Sequence, residues 1–132
     1  MQPKMIWANL AISDITKTTK FYTVLGFTPN GNPNAELTSF SFGKGGFVIN
    51  FFLKDNLEFN WKAKIADAKN VTEIIFTLSA ESISQVDTYE KEVQQAGGKI
   101  ISSPAAFGKG YYGFDFADPD GHRFNVFYME GL

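Results

Sequence analysis

Apolar and polar positions fall into the same order twice along the chain. Ile6 to Ile12, IWANLAI, is a short apolar run that reads as a buried strand. In DITKTTKFYTVLGF the apolar residues Ile15, Phe21, Tyr22 and Leu25 fall near helical spacing, with Asp14 placed to cap the helix and Gly26 to end it. A loop rich in Asn, Pro and Gly follows, TPNGNPNAE. Two apolar runs, LTSFSF and FVINFFL, are then split by GKGG, the pattern of a hairpin. Beyond a polar stretch the order starts again. TEIIFTL, Thr72 to Leu78, predicts a strand, and Ser82 with Gln85 fits a capping box. Ile83, Val86, Val93 and Ala96 mark one helix face, which Gly97-Gly98 closes. The short strand KIIS leads to Pro104, and YYGFDF and HRFNVFYM flank ADPDG as a second hairpin.

Both halves therefore read strand, helix, short strand, hairpin. The match extends to single positions: Asn50 stands four residues after Gly46, and Asn125 four after Gly121. Such a repeat predicts an α+β fold of two βαβββ modules, about 4–54 and about 71–130, in one domain spanning 1–132. A pseudo-twofold would relate the modules, and their strands would form a concave mixed sheet around a central cavity. Residues 55–70 are polar and broken up, as expected of a connector. Within them Phe59 and Trp61 either pack onto the domain or form a lid.

Composition narrows the function. A chain of 132 residues can bury a sizeable core, yet 14 Phe, 5 Tyr and 2 Trp exceed what packing needs, so some are expected to line a pocket. The net charge of −2 without any Lys/Arg block weighs against nucleic acid. The absence of cysteine excludes a disulfide framework, a thiolate zinc site and a cysteine nucleophile. No apolar run reaches the length of a membrane span, and MQPKMIWANL has no signal-type apolar region, so a cytoplasmic protein with no membrane partner is expected.

LAISDITKTTKFYTVLGF and GFDFADPDGHRFNVFYM resemble the vicinal oxygen chelate superfamily, over essentially the whole chain. That superfamily includes glyoxalase I, extradiol dioxygenases, fosfomycin-resistance enzymes and bleomycin-resistance proteins. The resemblance implies a divalent metal in the concavity, held mostly by His and Glu from the first and last strands of each module. By strand register those positions are Trp7, Asn50, Glu73 and Asn125. An indole has no lone pair to give, and amide oxygens are weak neutral ligands. A first-row metal wants at least three imidazole, thiolate or carboxylate donors. Only Glu73 qualifies, so no metal cofactor is expected to be retained.

The single histidine, His122, follows the turn glycine and alternates away from Asn125, which places it on the back of the sheet. Asp118 and Asp120 flank Pro119 as turn formers. GKGG lies between strands rather than before a helix, which favours a hairpin over a phosphate cradle. Arg123 shares the predicted inner face with Asn125 and Phe127. There it either pairs with Glu73, holds a ligand carboxylate or phosphate, or is a solvated strand-end charge. Asn50 and Asn125 must find partners, in each other, in nearby backbone or in a ligand. Trp7, Phe52, Phe127 and Tyr111 would supply apolar walls.

Three functions follow as expectations. The first is a metal-free binder of a small, partly aromatic molecule, similar to the bleomycin-resistance branch. The second is a lyase or isomerase of glyoxalase type with a non-standard metal site or with Glu73 as catalytic base. The third is a structural or regulatory module. In each case a homodimer is expected, because open sheet edges want covering.

Overall fold

The computed structural model describes residues 1–132. Its contacts divide into two compact units, Met1–Ala66 and Asp67–Leu132. The first holds β1 (Trp7–Ile12), α1 (Ile15–Val24), β2 (Thr28–Pro29), β3 (Leu37–Phe42), β4 (Phe47–Leu53) and α2 (Lys54–Trp61). The second holds β5 (Ile75–Ser79), α3 (Ile83–Ala96), β6 (Lys99–Ala106), β7 (Tyr111–Ala117) and β8 (Arg123–Met129). Each unit builds one mixed four-stranded sheet, in the order β1-β4-β3-β2 and β5-β8-β7-β6. The first strand pairs parallel with the last, and the remaining pairs are antiparallel. The βαβββ repeat read from the sequence is thus present twice, with the same strand order.

The capping residues act as their types suggest. The Asp14 carboxylate accepts the Lys17 N–H at 3.0 Å, and the Ser82 hydroxyl accepts the Gln85 N–H at 3.1 Å. Gln85 reaches back to the Glu81 N–H at 2.7 Å, one residue beyond the usual capping-box partner. Gly26 leaves α1 at φ +88°, and the Phe27 N–H donates to the Tyr22 carbonyl at 3.1 Å, the closing bond of a glycine-terminated helix.

Aromatic residues fill both cores. In the first unit, Tyr22 on α1 is fully buried; it stacks on Phe51 of β4 at 4.6 Å and meets Phe40 and Phe42 of β3 at 5.6 Å each. In the second, Phe116 and Phe124 stack at 5.0 Å on the same side of the sheet as Phe114 and Val126, with Val86 and Val93 of α3 buried. Much of the phenylalanine surplus is therefore core. The Tyr112 hydroxyl ties β7 to α3 through a 2.7 Å bond to Asp87, and donating that bond raises the Tyr112 pKa above its ordinary 10.0.

Several elements differ from the sequence reading, beginning with β2, which stands within the stretch read as a loop. The connector begins as helix: α2 continues directly from β4 and brings Trp61 to 5.2 Å from Phe52, edge on, while Phe59 stays exposed. β6 runs through Pro104 rather than stopping before it. It is an edge strand with register shifts, where a missing N–H breaks no ladder bond. β5 starts at Ile75, not Thr72, since a turn at residues 67–71 comes first, in which the Asn70 and Val71 N–H groups both donate to the Asp67 carbonyl.

That turn meets the Asp118–Gly121 hairpin loop. Asp118 is buried, and its Oδ1 accepts the Asp120 and His122 N–H groups at 3.0 and 2.9 Å. Gly121 has φ +96°, and a Cβ there would lie 2.8 Å from Ala68 and Lys69 backbone atoms. Left-handed backbone costs a non-glycine residue about 1–2 kcal/mol, before any collision. Gly121→Ala should therefore lower unfolding stability in urea by more than about 2 kcal/mol. At Gly45 an added Cβ would meet nothing within 4 Å, so Gly45→Ala should change stability by less than about 1 kcal/mol.

Candidate functional site

Strand alternation gives each sheet one face that packs on its helix and one that faces away. On β4, Ile49 and Phe51 lie on the helix side, so Val48, Asn50 and Phe52 lie on the far side. On β8, Phe124 and Val126 lie on the helix side, so Arg123, Asn125 and Phe127 lie on the far side. The site residues expected from the last strands therefore do share faces, and His122 stands outside β8 with its N–H on Asp118.

Asn50 is the centre of a polar row across its sheet. Asn9, Asn50 and Ser39 are direct register partners on β1, β4 and β3. The Asn50 amide donates to the Asn9 side-chain oxygen at 3.1 Å, and Ser39 Oγ donates to Asn50 Oδ1 at 2.7 Å. Asn30 extends the row by donating to Ser39 Oγ at 3.1 Å. Asn125 occupies the same place in the second sheet. Thr77, Asn125 and Asp115 are register partners, as are Asp115 and Ser102. The Asn125 amide donates to Asp115 Oδ1 at 2.8 Å and to the Phe114 carbonyl at 3.4 Å, and Ser102 Oγ donates to Asp115 Oδ2 at 2.8 Å.

The two asparagines thus find partners in side chains of their own sheets. Sequence reasoning did not name Asn9, Ser39, Asp115 or Ser102. The available signal was a polar residue within each of the apolar runs IWANLAI, LTSFSF and YYGFDF, but only the register shows that Asn9, Ser39 and Asp115 meet the asparagines.

Strand pairing also locates the counterpart of Trp7. Trp7 lies opposite Val48, two residues before Asn50, and is half exposed. Ile75 lies opposite Arg123, two residues before Asn125. Ile75, and not Glu73, therefore matches Trp7; Glu73 sits ahead of β5 and is exposed.

An aromatic group lies at the other end of the second sheet's far face. Tyr111 and Phe127 meet at 6.2 Å, Phe107 stacks on Tyr111 at 5.8 Å, and Phe107 meets Phe127 edge on at 6.4 Å. Phe107 and Tyr111 keep 48% and 38% of their surface exposed. Opposite Phe127 stands Gly113, where a Cβ would lie 2.3 Å from the Val126 carbonyl and 2.9 Å from the Phe127 Cβ. Only glycine fits there, and Phe127 lies over it. The sequence pointed to Tyr111 and Phe127 but not to Phe107. Arg123, at the near end of the same face, carries a buried Nε with no hydrogen-bond partner.

The donor set does not fit a first-row metal. The expected ligand positions carry an indole, two amides already bonded within their sheets, and an exposed carboxylate outside the strand register. No three His, Cys, Asp or Glu side chains come together elsewhere.

The architecture has close parallels among solved structures. A hypothetical protein from S. aureus is 26% identical with a TM-score of 0.84, over 97% of this chain and 95% of that one. A glyoxalase-related enzyme from Fulvimarina pelagi superposes with a TM-score of 0.81 at 21% identity, over 96% of this chain and 88% of that one. A lactoylglutathione lyase from Agrobacterium tumefaciens gives 0.70 at 18% identity, over 96% and 95%. No curated protein matches the chain in sequence. Residues 4–126 match the model of the glyoxalase/bleomycin resistance protein/dioxygenase superfamily, and the chain belongs to that superfamily.

Proposed function

We propose that the protein binds a small, partly aromatic molecule and does not perform metal-dependent chemistry. The observation that carries this reading is the far face of the second sheet, where a partly exposed aromatic group and a bonded amide-carboxylate row lie side by side. An aromatic ligand gains stacking and apolar burial there, while amide and hydroxyl groups of the row fix its orientation. The first sheet offers a parallel arrangement in Trp7, Asn50 and Phe52. Glu73 is given no catalytic role, since it lies outside the strand that would aim it.

We further propose a homodimer in the cytoplasm. β1 and β5 are edge strands, and Ile6, Trp7, Ile74 and Ile75 beside or within them are all more than half exposed. Covering such edges removes apolar surface from water and satisfies unpaired backbone groups. No helix is long and apolar enough to cross a membrane.

Three measurements test these readings. In an NMR titration with small aromatic amides and acids, resonances of Phe107, Tyr111 and Phe127 should move saturably, and Phe127→Ala should weaken binding about 3- to 10-fold. Silence across a broad panel would sink the binding function. Ni²⁺, Zn²⁺ or Mn²⁺ should leave the melting temperature unchanged; a metal bound to the folded state at a hundredfold excess over its Kd would add about 2.7 kcal/mol, a rise of several degrees. Light scattering should give twice the chain mass of 14.7 kDa, and a single monomeric species would refute the dimer.

A further inference from the structure

We infer that Arg123 is an anion-recognising group, so that the ligand carries a carboxylate or similar oxyanion at one end and its aromatic part at the other. This rests on the reading of the second sheet's far face as a binding surface, and adds the ligand's charge and polarity to it. The starting point is a mismatch between the two modules. Arg123 stands two residues before Asn125, opposite Ile75 and Ala117. The same place in the first sheet, two residues before Asn50, holds Val48, which is buried. The repeat would be served there by an apolar residue, and the chain puts a permanent cation.

That cation is not answered by its own sheet. Its Nε is buried and has no hydrogen-bond partner. A buried donor without a partner is destabilising, the more so when it belongs to a charged group. The side chains of Ala117 and Ile75, its cross-strand neighbours, carry no acceptor. Asp115 is the carboxylate on the same face, one ladder step along. Both its oxygens are already engaged, Oδ1 by Asn125 and Oδ2 by Ser102. The polar row thus engages both oxygens of that carboxylate, and Asp118, which follows Ala117, commits its Oδ1 to the Asp120 and His122 N–H groups.

A planar guanidinium matches a planar oxyanion through two parallel N–H···O bonds, one of them from Nε. A carboxylate gripped by the guanidinium would supply the partner that Nε lacks once the side chain turns that edge outward, since the atom has no exposed surface as it stands. Phe127 lies four residues farther along β8 on the same face, roughly 13 Å between Cα atoms at 3.3 Å per residue. Asn125 lies between them. The long arginine side chain and the aromatic rings shorten the gap to be bridged, so an arylalkanoate a few methylenes long spans it. A phosphate end would be recognised by the same fork, and the titrants below separate the two.

The test follows the Arg123 Nε–Hε and Asn125 side-chain signals of the full chain by ¹⁵N NMR. The titrants are acetate, inorganic phosphate, 4-phenylbutyrate and the neutral 4-phenylbutyramide. The expected result is a saturable shift of Arg123 Nε–Hε with the acid, binding at least tenfold tighter than the amide, and a loss of that preference in Arg123→Gln. Arg123→Lys keeps the charge without the fork and should restore only part of it. A larger response to phosphate than to acetate assigns the anion as phosphate. Equal affinities for acid and amide, with Nε–Hε unmoved by acetate or phosphate, overturn the anion inference and leave the aromatic binding face standing. A saturable response to the inorganic anion or acetate, with both phenyl compounds silent, keeps the anion site and removes that face. Silence from all four titrants refutes both. If Arg123→Gln fails to fold, the acid-to-amide ratio and the Nε–Hε response of the unmodified chain decide alone.

Discussion

The parallel pairing of β1 with β4, and of β5 with β8, puts the last strand of each module inside its sheet with a hydrogen-bonded neighbour on either side. A central strand can present a row of side chains with partners on both flanks, which an edge strand cannot. Because side chains alternate with a period of two, one register then sorts every residue of β4 and β8 between a helix-packed face and a far face. The aromatic cores fix that register. A slip of one residue would take Phe51 off Tyr22, or Phe124 off Phe116, and turn both toward the far side. Core packing and the chemistry of the far face are therefore one constraint: the stacked rings on one side determine which polar groups meet on the other.

The polar rows follow from that constraint, and they govern what the far face can do. Asn50, bonded on both flanks, and Asn125, bonded twice to β7, are each held in one orientation, which makes them poor metal donors. In the first sheet the row is wholly uncharged: Asn9, Asn50, Ser39 and Asn30. In the second the serine at the middle strand is replaced by Asp115, and its charge is absorbed by two donors. Beside it Phe127 has Gly113 as cross-strand partner, where Phe52 in the first sheet has Leu37. The second module has thus exchanged a bulky neighbour for a glycine against which Phe127 packs closely, and a neutral hydroxyl for a carboxylate. These changes fall on one face and leave the helix-packed face apolar.

The repeat, the helix caps and both hairpins could be read from the sequence because each is written in short range. Capping residues, turn glycines and the switch between periods of 3.6 and 2 lie within a few positions of the atoms they control. What escaped is written at long range or by exception. The Asn9–Asn50 bond spans 41 residues, and nothing local says that those two strands lie side by side. β6 passes through Pro104 only because it lies at an edge. α2 buries Leu57 alone, too little for an apolar stripe to show in its eight residues. Glu73 became a candidate because the strand was read from Thr72, but an apolar run does not say where pairing begins. The turn at residues 67–71, braced against Gly121, postpones the strand to Ile75.

Arg123 shows how the repeat sharpens functional reading. Taken alone, an arginine early in a strand is an ordinary surface charge. Set against Val48, it is a departure from a template the chain itself provides, at a place where the template is apolar and buried. The module that kept the neutral row is the reference for the one that did not. Three departures, Arg123 for Val48, Asp115 for Ser39 and Gly113 for Leu37, lie on a single face of a single sheet. The strand order does not require them, because the first module builds the same topology without them, although the second sheet's own geometry admits only glycine at 113. A charge whose Nε is left without a partner, a carboxylate bonded through both oxygens, and a glycine packed beneath a ring are the observations on which the proposed binding face rests.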